Sequence, residues 1–232
     1  MIASWREFWD RPHRIYVNDR HRRVHYQRVA ADILSELPSE SSVVLDYGCG
    51  EALEATTVAA RCRKLYLSDS ASNVRTSLAR RYAGDTRISV LAPEDVPGLP
   101  EAGIDLIVVN SVLQYLSREE CTALVAMLRP KLARKGRLLL ADVVPPDGGI
   151  VADVSSLLRT ALREGFFFAA IVGLAMTFVS DYRRLRNEIG LTTYAEKDIR
   201  SLLEQAGYAT RRRPKNFGFN QQRMTIVATP RS

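Results

Sequence analysis

Short apolar segments alternate with helical patterns along most of the sequence, and this alternation limits the fold more than any other feature. Five such segments precede residue 146, namely 43–46, 65–69, 88–91, 104–110 and 136–142. Wholly apolar strands are typical of parallel sheets covered on both faces, and strands alternating with helices indicate βαβ units. We therefore predict an α/β fold with a doubly wound, mostly parallel, seven-stranded sheet, in which residues 208–213 and 223–229 form an edge hairpin.

Helical periodicity predicts helices at 22–37, 52–62, 71–83, 117–134 and 196–206, the fourth of them broken near Pro130. We expect a single domain over residues 1–232. Residues 1–37 are predicted to be an N-terminal helical lid. Residues 150–195 interrupt the alternation and are predicted to be a helical cap inserted into the domain.

The composition is that of a globular protein, with 46% hydrophobic and 25% charged residues. The longest apolar run, residues 166–179, is shorter than the ~20 residues that a bilayer span needs, and the N-terminus lacks a signal-peptide pattern. Cys49, Cys62 and Cys121 are too widely spaced for a metal cluster. We therefore expect a cytoplasmic protein with reduced thiols and no structural metal.

A glycine loop follows the first strand in Asp46-Tyr47-Gly48-Cys49-Gly50, and Asp69 ends the next strand. An acid about 20 residues beyond such a loop is placed to accept hydrogen bonds from ribose hydroxyls, although Asp69 could instead cap the following helix. A dinucleotide site requires G-x-G-x-x-G, but Leu53 occupies the third glycine position. Asp46 would repel a pyrophosphate and attract a cation. The loop therefore favours an amino-acid-bearing nucleoside cation.

These motifs resemble those of the class I S-adenosylmethionine-dependent methyltransferases, a family of Rossmann-like fold. The first motif of that family is similar to VLDYGCG and the second to LYLSDS. The third-strand loop and fourth strand resemble LAPEDVPGLPEAGIDLIVVNSVLQYL, and the fifth strand with its preceding helix resembles LRPKLARKGRLLLADVVPP. The resemblance covers about residues 24–145.

The resemblance implies S-adenosyl-L-methionine as cofactor and S-adenosyl-L-homocysteine as product. It places Asp46, Gly48 and Cys49 around the methionine moiety beside Gly50, and it places Asp69 at the ribose. It also implies contacts from Ser70 along the adenine, from Asn110 near the cofactor amine and from Glu94 in the third loop. Two alanines depart from the family pattern: Ala52 replaces a frequent glycine, and Ala92 replaces an acid that bonds adenine.

The N-terminal segment supplies the remaining predicted site residues. Tyr16 or Arg20 is predicted to contact the cofactor carboxylate. His21 and His25, at i and i+4 on one helix face, are predicted to offer a general base. An isolated histidine pair lacks the third ligand that a zinc site requires, so no metal site is predicted.

The acceptor is predicted to be a small, apolar or lipid-like molecule, because residues 153–194 combine an apolar wall with flanking arginines. Anionic head groups could be bound by the flanking arginines, which suggests peripheral contact with a membrane; these are Arg159, Arg163, Arg183, Arg184 and Arg186.

A nucleic-acid methyltransferase is the main alternative, but the turn after Asn110 lacks the Pro-Pro-Tyr sequence that is common in enzymes that methylate base amino groups. A non-catalytic S-adenosylmethionine-binding module is the other, supported by Ala52 and Ala92. The sequence does not indicate an oligomeric state.

Overall fold

The computed structural model describes residues 4–10, 16–147, 150–165, 167, 170–171 and 190–231. Its centre is one seven-stranded sheet in the order β3-β2-β1-β4-β5-β7-β6. The strands are β1 Val43–Tyr47, β2 Lys64–Ser68, β3 Ile88–Leu91, β4 Ile104–Asn110, β5 Leu132–Val143, β6 Tyr208–Arg212 and β7 Met224–Pro230. The first five strands are parallel, whereas β7 pairs antiparallel with both β5 and β6. The predicted doubly wound sheet with an antiparallel edge hairpin is thus confirmed.

Helices cover both faces of this sheet. They are α1 Trp5–Trp9, α2 Asp19–Glu36, α3 Ala55–Ala59, α4 Ser72–Arg81, α5 Arg118–Leu128, α6 Ile150–Glu164 and α7 Glu196–Gln205. Alternate residues of β4 belong to different cores, because successive side chains of a strand point to opposite faces. Ile107 packs in the core that includes α5 and α7, whereas Val108 packs in the core that includes α2 and α3. Burial on both faces explains why the strands are continuously apolar.

Three helix boundaries differ from the sequence prediction. The helix predicted at 52–62 is only the single turn α3, because the glycine loop extends further and Ala52 adopts a φ of 38°. The helix predicted at 117–134 ends at Leu128, and Pro130 lies in a short 3-10 turn before β5. Helix α2 begins at Asp19 rather than residue 22, because Asn18 Oδ1 accepts a hydrogen bond from the His21 amide at 2.8 Å.

The predicted helical cap is only partly described. Helix α6 contains Arg159 and Arg163, whereas Arg183, Arg184 and Arg186 lie outside the described residues. None of the helices in the described ranges combines the length and the apolar character that a bilayer span requires. The lid and cap assignments remain predictions.

An ion-pair network ties helix α2 to the edge of the sheet. Glu36 accepts from Arg213 Nε at 2.7 Å and from Arg137 Nη1 at 3.0 Å, and its side chain is only 10% exposed. Asp32, one turn earlier, accepts from the Gly218 amide at 2.9 Å. The helix that precedes the glycine loop is therefore fixed to the loop of the antiparallel hairpin.

Replacing Glu36 should destabilise the protein, because Glu36→Ala removes the carboxylate that pairs with Arg137 and pairs most closely with Arg213, and both guanidinium groups are partly buried. We expect a loss of about 3 kcal/mol in the free energy of unfolding, measured by urea denaturation. Glu40→Ala is the matched control, since Glu40 is 73% exposed in its pair with Arg61 and should cost less than about 0.5 kcal/mol. Equal losses in the two variants would contradict this role for the network.

Candidate functional site

A cavity of about 710 Å³ lies at the carboxyl ends of β1, β2 and β4. The order of the sheet reverses between β1 and β4, and open α/β sheets bind ligands at this switch point. The volume is in the usual range for a small-molecule or cofactor site. One end of the cavity is bordered by Asp46, Gly48, Cys49, Gly50, Asp69 and Ser70, and the other by Trp5, Trp9, Gln114, Tyr115 and Thr192. We call these the loop end and the aromatic end.

The glycine loop is tightly enclosed. Gly48 and Gly50 have φ values of 78° and 58°, a region that side chains disfavour. A Cβ at Gly48 would overlap Val112 Cγ2, and one at Gly50 would lie 2.7 Å from the Tyr26 hydroxyl. The amides of Gly48 and Cys49 both donate to the Ser68 carbonyl at the end of β2. Both glycines are therefore required by the fold of the loop.

Asp69 joins the glycine loop to the next helix. Its Oδ2 accepts from the Gly50 amide at 2.9 Å, and its Oδ1 accepts from the Ala71 amide at 2.9 Å. The side chain also borders the cavity. The sequence offered helix capping and ribose recognition as alternatives. The N-cap residue of α4 is Ala71, without a side-chain cap, so Asp69 stabilises the turn before the helix, and its contact with a ribose stays a prediction.

Asp46 is the most perturbed carboxylate of the loop end. Its residue is 7% exposed, and no described residue donates a hydrogen bond to its carboxylate. Burial, and secondly the nearby charge of Asp69, raise the pKa of Asp46 to about 7. Burial also raises the pKa of the Cys49 thiol. A buried carboxylate at a cavity wall, without a donor among the described residues, favours a cationic ligand.

The N-terminal residues divide into two groups. Tyr16 and His25 border the cavity, with ring centroids 5.4 Å apart. Arg20 is exposed and lies beside Gly165, and the structure does not bring Arg20 or His21 to the cavity. His21 Nδ1 instead accepts from the Val17 amide at 3.4 Å. The sequence prediction for His21 rested on its helical spacing from His25, which does not determine which way a helix faces.

Burial lowers the pKa of both His21 and His25 to about 4, and the charge of His25 adds to the effect at His21. Burial likewise raises the pKa of the Tyr16 phenol to about 12. Both imidazoles and the phenol are therefore neutral near pH 7. A base with a pKa of about 4 accepts protons weakly at that pH.

The other predicted residues also differ in whether they border the cavity. Ser70 and Asn110 border the cavity, and Asn110 Oδ1 is buried without a hydrogen-bond donor among the described residues. Glu94 is exposed, and the structure does not bring it to the cavity, where Pro93 contributes instead. Asp95 accepts from the Ala92 amide at 3.0 Å and so stabilises its own turn.

Sequence reasoning missed the aromatic end. The Tyr115 ring lies 4.7 Å from Trp5 and 5.3 Å from Trp9 between centroids, and Trp5 Nε1 donates to the Gly190 carbonyl at 3.3 Å. The available signal was the i, i+4 spacing of the two tryptophans in WREFW, which places them on one helix face. Gln114 and Arg223 also border the cavity and had no sequence signal.

The glycine loop gives a direct test of this geometry. Gly48→Ala should lower the free energy of unfolding by about 2–4 kcal/mol, because the new Cβ combines a left-handed backbone with overlap on Val112. Gly84→Ala is the control: Gly84 lacks a positive φ, and a Cβ there would have no neighbour within 4 Å. Thermal and urea denaturation measure both. A Gly48 variant as stable as the Gly84 variant would disprove the enclosed loop.

Comparison with known proteins relates this chain to methyltransferases. The model of a family described as a methyltransferase domain matches residues 19–212. Curated proteins give no match to the sequence. Among solved structures, magnesium protoporphyrin IX methyltransferase from Synechocystis PCC 6803, with bound S-adenosylhomocysteine, is similar at 20% identity and a TM-score of 0.57, covering 98% of this chain and 93% of that one.

Two further structures show the same fold. A TehB-like S-adenosylmethionine-dependent methyltransferase from Corynebacterium glutamicum ATCC 13032 has 13% identity and a TM-score of 0.54, covering 88% of each chain. A methyltransferase from Leishmania major has 12% identity and a TM-score of 0.59, covering 96% of this chain and 80% of that one. At such identities the likeness concerns the fold alone.

Proposed function

Since this chain belongs to the methyltransferase domain family and is an S-adenosyl-L-methionine-dependent methyltransferase, we propose that it methylates a small acceptor with an apolar or lipid-like body. The observation that carries the proposal is the aromatic end of the cavity, where Trp5, Trp9 and Tyr115 form one wall. Apolar and aromatic walls with few polar groups are typical of sites for small organic molecules.

The loop end fits the cofactor on several grounds. Gly48 and Gly50 allow the left-handed backbone by which the loop borders the cavity, and Asp46 offers a buried negative charge to the cofactor's ammonium or sulfonium group. Asn110 borders the cavity, and its Oδ1, which lacks a donor among the described residues, would accept from the cofactor amine. Asp69 and Ser70 would hold the nucleoside, and Tyr16 would approach the methionine carboxylate.

When bound, S-adenosylmethionine supplies a methyl group on a cationic sulfur, an electrophile that needs an aligned nucleophile. The protein contributes position and exclusion of water, since α1 and Tyr115 border the cavity from outside the sheet. His25 is the one predicted base that borders the cavity, and its pKa of about 4 keeps it unprotonated near pH 7. We propose that it receives the proton of the acceptor once methyl transfer makes that proton acidic, so that a base this weak is sufficient.

Cofactor binding should depend on the ionisation of Asp46. The pKa of Asp46 is raised to about 7 in the free protein, so a cationic ligand must displace a proton below that pH. We expect the affinity for S-adenosylmethionine to fall about tenfold for each pH unit below 7 and to level off above it. Isothermal titration calorimetry between pH 5.5 and 8 measures this.

Asp46→Asn should weaken binding at pH 8 by at least about tenfold and should remove the pH dependence, because the amide offers no charge. Asp19→Asn, which changes a carboxylate that is 79% exposed, is the control and should bind like the unchanged protein. Unaltered affinity and pH dependence in Asp46→Asn would refute the assigned role.

The acceptor class can be tested by the fate of a radiolabelled methyl group. We expect label from S-adenosylmethionine to enter the organic phase when the protein is incubated with a pool of phenols, long-chain alcohols and fatty acids. Trp9→Ala should reduce that incorporation about tenfold by removing part of the aromatic wall. Incorporation into total RNA in place of the organic pool would overturn the proposal and favour the nucleic-acid alternative.

A further inference from the structure

Gln114 presents a buried polar side chain at the aromatic end of the cavity. The residue is only 4% exposed and borders the cavity beside Tyr115. Its Oε1 is buried and has no hydrogen-bond donor in the part of the chain that the structure describes. Its own carbonyl accepts from the Thr192 amide at 3.0 Å, so the backbone that carries this side chain is fixed.

Neighbouring polar groups at this end have partners within the protein. Thr192 Oγ1 donates to the Leu116 carbonyl at 2.6 Å. Ser117 and Glu120 form a reciprocal helix cap, in which Ser117 Oγ accepts at 3.1 Å and Glu120 Oε2 accepts at 2.8 Å. Ser4 Oγ accepts from the Glu7 amide at 3.2 Å. Gln114 thus differs from these neighbours in having a buried oxygen without a donor among the described residues.

An unsatisfied buried amide oxygen is costly, typically by an amount that corresponds to a fivefold to hundredfold change in an equilibrium constant. A leucine or methionine at this buried position would leave no polar atom unsatisfied. A glutamine side chain carries both a donor and an acceptor, which exchange places when the amide rotates. A hydroxyl or amino group on a ligand could satisfy either end.

We propose that Gln114 is a specificity-determining residue that hydrogen-bonds a hydroxyl or amino group on an otherwise apolar, ring-bearing acceptor. This inference rests on the proposed function and narrows the acceptor class. The ring would pack against Trp5, Trp9 and Tyr115, and its polar substituent would meet the Gln114 amide. A site built to bond such a group discriminates strongly against the analogue that lacks it.

Tryptophan fluorescence provides a readout that is independent of methyl transfer. The chain contains two tryptophans, and both border the aromatic end. In protein saturated with S-adenosylhomocysteine, we expect 4-propylphenol and 4-propylaniline to quench this fluorescence with an affinity about tenfold higher than that of propylbenzene. Equal affinities for the three probes, or no quenching by any of them, would overturn the proposal.

Gln114→Met removes the amide while keeping an unbranched side chain of similar length. We expect this variant to bind all three probes with similar affinity and to bind S-adenosylhomocysteine normally. Gln205→Met, at an exposed helical position, is the control and should retain the tenfold preference. A preference that persists in Gln114→Met would show that another group recognises the substituent.

The melting temperature distinguishes a role of Gln114 in recognition from a role in supporting the fold. Without ligand, Gln114→Met and Gln114→Leu should raise the melting temperature by about 2–4 °C, because an unpaired buried oxygen is removed. A lower melting temperature in both variants would mean that the side chain supports the fold, and the proposal would be wrong. Failure of the unchanged protein to bind S-adenosylhomocysteine in calorimetry would instead count against the proposed function itself.

Discussion

The structure depends on the narrow turn between β1 and α3, where the chain leaves a buried strand and borders the cavity. Gly48 passes beneath Val112, Gly50 passes beside Tyr26, and the carbonyl of Ser68 holds two amides of the turn. Asp69 then fixes the Gly50 amide from the neighbouring strand. This turn borders the cavity, and its contacts with β2, α2 and the segment after β4 together fix its position.

The same turn accounts for the electrostatics of the loop end. Asp46 follows three buried apolar residues of β1, so its carboxylate reaches the cavity wall with little water and close to Asp69. Two ionised carboxylates close together in a buried site repel each other, and a bound cation offsets this repulsion. Binding of a cationic cofactor relieves the repulsion between the two acids of the unliganded protein, and this relief contributes to the affinity of the site.

The fold was largely predictable, and particular residues show why. Strands β1, β2 and β4 each contain an apolar run, and each run ends near an acid or amide at the ligand edge, as in Asp46, Asp69 and Asn110. Helix lengths were less predictable, since α3 begins only after Ala52 has adopted a left-handed conformation that its sequence does not signal. A distant residue also contacts the segment before α3, since the Tyr82 hydroxyl donates to the Ala52 carbonyl at 2.6 Å.

The sequence by itself determined the layered α/β architecture, the position of the glycine loop and the acids of the loop end, because these follow from local periodicity and from the rule that parallel strands end at one edge. Only the tertiary structure decided which side chains of the N-terminal segment face the cavity, namely His25 and Tyr16 but not His21 and Arg20. It also brought Trp5 and Trp9 against Tyr115, a contact between residues more than a hundred positions apart. Local sequence does not encode such contacts, because they arise from the packing of separate elements around a shared space.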